Sequence, residues 1–155
     1  GPNHGGCKSL PKCCWLEPDL DLKNCKALLG AEFPHPENHN DRPAPSAKTL
    51  NVSLEEKWIG FAVSAYWTQE GSQKWRTVEM WVDSDPFDTN GKPNNNWQKI
   101  LHETDKGQIT TPELAKRQLP TDGQGLEAEI RMHKATNHDT EIKWVNVYEI
   151  VPPSS

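Results

Sequence analysis

Between residues 57 and 68 apolar side chains fall on every second position, at Ile59, Phe61, Val63, Ala65 and Trp67. A period of two belongs to a strand with one face in a core, because successive side chains alternate across a pleated backbone, whereas a helical stripe recurs at three and four. Residues 69–73 supply turn chemistry. The alternation resumes over 76–83, with Val78, Met80 and Val82 on one face and Thr77, Glu79, Trp81 and Asp83 on the other. The pair reads as an antiparallel hairpin. Three further strands are expected: 97–103, which alternates weakly, 126–133, with Leu126, Ala128, Ile130 and Met132 inward, and 142–151. In the last, Ile142 and Trp144 share one face but Val145, Val147 and Val151 take the other, which predicts a bulge near Trp144. Residues 111–119 carry a helix start, with Thr111 as cap and Pro112 at the first helical position.

The chain of 155 residues fits one domain, with a Cys- and Pro-rich segment over 1–50 and a strand-rich body over 51–155. Pro2, Pro11, Pro18, Pro34, Pro36, Pro43 and Pro45 disfavour helices and central strands, so loops are expected there, with one helical turn around 24–29 ending at Gly30. All four cysteines, Cys7, Cys13, Cys14 and Cys25, lie in this segment. Neighbouring Cys13 and Cys14 diverge, which leaves two pairings open: Cys7–Cys13 with Cys14–Cys25, or Cys7–Cys14 with Cys13–Cys25. A zinc knuckle with His4 lacks the closely spaced Cys pairs such sites use. Two disulfides are expected ahead of a metal knuckle or free thiols, and they imply an oxidising, extracellular compartment. The sequon Asn51-Val52-Ser53, a glycosylation acceptor at Asn51, agrees with export, and the Gly1-Pro2 start fits a chain whose leader has been removed.

A net charge of −5 and the lack of a basic block argue against nucleic acid as a partner. No apolar run approaches the roughly 18 residues of a membrane span, so a soluble chain is expected. No nucleophile elbow, phosphate loop or zinc-protease motif is present, so the leading expectation is not an enzyme. The off-core parity of the strands carries the candidate site: Trp58, Tyr66, Glu79, Trp81, Glu129, Arg131 and His133. Aromatic faces beside carboxylate, guanidinium and imidazole groups suit a glycan, whose C–H faces stack while its hydroxyls hydrogen-bond. The plainer alternative is a solvated sheet face on which Glu79 pairs with Arg131. Residues 83–91 cluster Asp83, Asp85, Asp88 and Asn90, oxygen ligands of the kind Ca²⁺ takes, although the spacing is not that of an EF-hand and the same residues make turns. His35 and His39 lie in a Pro-flanked stretch that reads as a solvated loop.

Several short motifs resemble a family. Lys57-Trp58-Ile59-Gly60-Phe61, Val78-Glu79-Met80-Trp81-Val82-Asp83, Asn95-Asn96-Trp97, Asp105-Lys106-Gly107-Gln108 and the run from Lys143 to Ile150 are similar to extracellular proteins with a concanavalin-A-like jelly roll, related in fold to alginate-lyase-like polysaccharide-handling domains. Gly1-Pro2-Asn3-His4 and Glu32-Phe33-Pro34-His35-Pro36 resemble two earlier motifs of that group. The resemblance implies an all-β fold, an antiparallel two-sheet β-sandwich of jelly-roll type, to which the cysteine and proline pattern adds a disulfide-stapled, loop-rich N-terminal segment. It does not imply catalysis, since the Arg-x-Glu-Leu-Arg and Gln-x-His strand motifs of alginate lyases are absent. The expectation is therefore a secreted protein that binds glycan or builds an extracellular assembly. A polysaccharide lyase or glycoside hydrolase and a filament subunit are the alternatives. Five readable strands are few for a jelly roll, so either the Cys-rich segment supplies the missing strands and covers the edge, or an open edge is left for a neighbour; the second, a homo-oligomer, is expected.

Overall fold

A computed structural model describes residues 15–32, 46–110, 141–148 and 150–151. The described chain is all-β and forms two antiparallel three-stranded sheets. The first contains β1 (Trp15–Asp21), β2 (Lys26–Glu32) and β3 (Ser46–Thr49) in that order. The second contains β4 (Gly60–Glu70), β5 (Gln73–Asp83) and β6 (Gln98–Asp105), also in order.

The expected hairpin forms as β4 and β5, in register from Glu70 opposite Gln73 to Gly60 opposite Asp83. Its two-residue turn needs a positive φ to match the strands' twist, and Gly71 supplies one at 58°. The weakly alternating 97–103 becomes β6.

The first sheet corrects the expectation of loops before residue 50. The turn between β1 and β2 is built by the Asp21 carboxylate, which accepts the Asn24 backbone amide at 2.9 Å and its side-chain amide at 2.8 Å. From Lys26 the chain is strand, so no helical turn occupies 24–29. The run Ala27-Leu28-Leu29 is too short for periodicity to separate helix from strand, and burial decides it. Ala27 and Leu29 are fully buried while Leu28, pointing the other way, is only half-buried. Pro18 is accommodated because β1 borders its sheet, where a missing amide breaks no ladder. Leu50 donates its amide to the Cys25 carbonyl at 2.7 Å and so ties the end of β3 to the start of β2.

Both sheets feed one buried cluster. Ala27 and Leu29 come from the first, Val78, Met80, Val82, Ile100 and Leu101 from the second, and Leu50, Leu54 and Ile109 from connecting segments. The arrangement is sandwich-like. Asp105 seats the last of these by accepting the amides of Gly107 at 2.9 Å and Ile109 at 3.2 Å, together with the Thr110 hydroxyl. The register places Phe61 and Val63 on the face of Val82 and Met80, as the alternation predicts. They are nonetheless 39% and 41% exposed, because β4 borders the sheet among the described strands and the core lies under β5 and β6.

The expected strand over 142–151 is also corrected. Residues 141–148, 150 and 151 take no strand conformation, and Val147 and Val151 are 77% and 92% exposed. Trp144, where a bulge was expected, has φ 58°, a left-handed conformation that interrupts an extended backbone. The expected strand over 126–133, the helix over 111–119, His35, His39, Cys7, Cys13 and Cys14 lie outside the described residues.

The shared core generates the first prediction. Leu29→Ala and Met80→Ala, one in each sheet and both fully buried, are each expected to lower stability in urea unfolding by about 2–5 kcal/mol. Two transitions in place of one in either variant would mean that the sheets unfold independently.

Candidate functional site

The functional geometry lies on the face of the second sheet turned away from the core. Register sets Gly60, Ala62, Ser64 and Tyr66 of β4 beside Asp83, Trp81, Glu79 and Thr77 of β5. On the other side Thr104, His102 and Lys99 of β6 stand beside Thr77, Glu79 and Trp81. Lys99 and His102 are three residues apart, and in a regular strand they would point to opposite faces. A register shift between Met80 and Trp81 brings both to one face. The same shift lets the consecutive Ile100 and Leu101 both enter the core.

Glu79 is the centre of this face. Only 4% exposed, it receives the Lys99 ammonium and the His102 ring on the same oxygen, Oε1, with His102 Nδ1 at 2.8 Å. The Tyr66 hydroxyl on β4 also acts on this carboxylate. Burial pushes the Glu79 carboxyl up, but the hydrogen bonds from Lys99 and His102, the Lys99 charge and the Tyr66 hydroxyl outweigh it and hold the group below the usual carboxylate range. Burial pushes the Tyr66 phenol up, and the neighbouring Glu79 charge adds to it. Because an ionised carboxylate only accepts, His102 Nδ1 is the donor in this contact, from a side chain that is 54% exposed.

Trp81 completes the site, with the Lys99 ammonium 5.4 Å from its ring centroid, a cation–π distance. Below it runs a hydroxyl chain, Thr68 to Thr77 at 2.5 Å and Thr77 to Thr104 at 2.9 Å. The Ser64 hydroxyl, opposite Glu79, is buried with no hydrogen-bond partner among the described residues. At the end of the face Trp97 lies on Gly60, where an added Cβ would come within 2.8 Å of the ring.

Tyr66, Glu79 and Trp81 are thus brought together as the alternation predicted. Trp58 is not on this face: it precedes β4 and meets Phe87 edge-on at 6.3 Å. The expected partner of Glu79, Arg131, lies outside the described residues with Glu129 and His133. Lys99 and His102 were missed, because the bulge destroys the alternation that would have shown their shared face. The polar face is not simply solvated, since Thr77, Glu79 and Asp83 are 0%, 4% and 1% exposed.

Of the four oxygen ligands considered for Ca²⁺, Asp83 accepts the amides of Asp85 at 3.1 Å and Asn96 at 2.8 Å. Asp88 accepts those of Asn90 and Lys92, both at 2.8 Å, and the Lys92 amide chiefly holds its carboxyl below the usual range. Asp85 and Asn90 are exposed. Among the described residues no group of three or more His, Cys, Asp or Glu side chains is arranged to hold a metal. Asn51 is exposed after β3, and Cys25 is half-buried with its sulfur 3.6 Å from the Leu22 carbonyl oxygen.

Because Glu79 titrates lower folded than unfolded, its contribution to stability is present above the usual carboxylate range and is lost as the pH falls through the folded value. Glu79→Gln is expected to lose about 1–3 kcal/mol at neutral pH, toward the lower end because Lys99 and His102 are half-exposed. Denaturant titrations across pH should show the gap to the wild type closing in acid, and a gap that persists there would remove Glu79 from its central role. No protein-family model, curated protein or solved structure matches the chain, so the geometry of this face carries the functional reading by itself.

Proposed function

We propose that this chain is an extracellular β-sandwich protein of jelly-roll type that binds glycan on the β4-β5-β6 face without chemistry of its own. One observation carries the reading: a half-buried Trp81 ring stands beside Lys99 and His102, both held in place by one buried carboxylate. A pyranose C–H face stacks on Trp81, a sugar hydroxyl hydrogen-bonds to the exposed His102 ring, and Lys99 faces a uronate carboxylate. Glu79 is a positioning residue, screened from solvent and held ionised. A general acid or base works best with a pKa near the operating pH, which Glu79 lacks, and this favours binding over lyase or hydrolase chemistry. The exposed sequon at Asn51 and the clustering of all four cysteines in residues 7–25 support the extracellular setting.

A second reading, a subunit of an extracellular assembly, draws on the C-terminal segment, in which Ile142, Val145, Val147, Tyr148 and Val151 are all more than half exposed. Apolar, β-prone residues in water mark an association surface. Light scattering at micromolar concentration is expected to give a particle larger than the 17.5 kDa monomer, and a stable monomer would end this second reading.

The glycan reading is tested on an array of uronate-containing and neutral polysaccharides, with product release assayed in parallel. Trp81→Ala is expected to lose about tenfold or more in retention, as removal of a central aromatic contact does, while Trp81→Phe keeps part of it. Circular dichroism confirms that both variants fold. Retention by neither the wild type nor Trp81→Phe would overturn the proposal, and product release would replace it with the enzyme alternative.

A further inference from the structure

A second aromatic group lies outside the Glu79 face. Phe87 meets Trp58 edge-on, with centroids 6.3 Å apart and planes at 77°, and meets Trp144 edge-on at 5.2 Å and 75°. The Lys143 ammonium lies 5.5 Å from the Trp58 centroid, 5.7 Å from Phe87 and 5.2 Å from Trp144. All three distances fall within the reach of a cation–π contact. One cation touched by three rings is a box rather than a chance pair.

Two walls of the box belong to the body of the fold. Trp58 stands two residues before β4. Phe87 sits on the loop between β5 and β6, bridged to Pro93 and braced by Asp88, whose amide donates to the Lys92 carbonyl at 2.8 Å and whose carboxylate accepts the Asn90 and Lys92 amides. The Asn94 side-chain amide closes the loop by donating to the Asp85 carbonyl at 2.7 Å. The third wall and the occupant arrive together on the C-terminal segment. Trp144 holds φ 58°, a conformation that a bulky residue adopts only where its surroundings impose it.

We propose that Trp58, Phe87 and Trp144 form a binding box for a small quaternary ammonium ion, and that Lys143 is its intramolecular occupant. A primary ammonium is compact and strongly hydrated, so much of its attraction to the rings is spent against water. A quaternary ammonium carries the same charge on an apolar shell and holds water weakly, which suits three ring faces. Trp58 and Trp144 are 40% and 60% exposed, so the box opens to solvent and exchange needs no rearrangement of the core. When the ligand enters, Lys143 leaves, and the hold on residues 141–148 loosens with it.

The test uses the full chain, with choline as probe, the uncharged isostere 3,3-dimethylbutan-1-ol as control, and indole N–H resonances as readout. Choline is expected to shift the Trp58 and Trp144 indoles saturably. In Lys143→Met, which removes the tethered competitor and keeps the stem length, affinity should rise by about tenfold, the order set by a short tether's effective concentration. Trp58→Ala in the Lys143→Met background should abolish the shift at Trp144, and Phe87→Leu gives the same readout should that double variant fail to fold. No saturable shift in either chain, equal shifts with the neutral isostere, or no gain in Lys143→Met would each overturn the proposal.

Discussion

A carboxylate that is 4% exposed in the middle of a strand must have partners, because removing an ionised group from water without compensation is too costly for a domain to absorb. Glu79 finds them on both neighbouring strands, Tyr66 on β4 and Lys99 with His102 on β6. The demand for compensation therefore fixes the sheet laterally, while on the opposite side of the same strand Val78, Met80 and Val82 fix it against the core. β5 is the wall shared by two environments. Its apolar side joins the sheets, and its polar side assembles the site.

Away from the sheets, order comes from carboxylates used locally. Asp21, Asp83, Asp88 and Asp105 each accept backbone amides within the turn they begin. In a chain with 34% hydrophobic residues such contacts hold loops that apolar burial does not reach. Their effect extends to both proposed sites. Asp83 shapes the loop that carries Trp97 back over Gly60, and Asp88 braces the loop that presents Phe87.

The hairpin was legible because residues 59–67 and 76–83 carry the period of a strand. Tyr66, Glu79 and Trp81 could be placed on one face by parity alone. Other features were not legible, each for a physical reason. Residues 26–32 form a strand whose apolar run is too short to differ from a helical turn. Trp58 lies outside the strand whose parity was extended to it, and it turns instead toward Phe87. Residues 142–148, 150 and 151 are rich in strand formers but take no strand conformation, since composition gives a tendency and not a ladder. The acidic run at 83–91 read as turn formers ahead of ligands, and backbone amides do take the Asp83 and Asp88 carboxylates.

The register shift in β6 has a consequence for how this surface tolerates change in length. A strand with one inserted residue has two phases, one before the shift and one after it, and the polar face is read from both: Lys99 belongs to the first and His102 to the second. Substitutions leave that phase relation intact, and losing the one extra residue between them would restore a regular ladder with both still on the polar face, whereas gaining a further residue would rotate one of the two to the core side. The site thus tolerates loss of a residue at the shift but not a further insertion there, an asymmetry that the neighbouring hairpin, in unbroken register along its whole length, does not share.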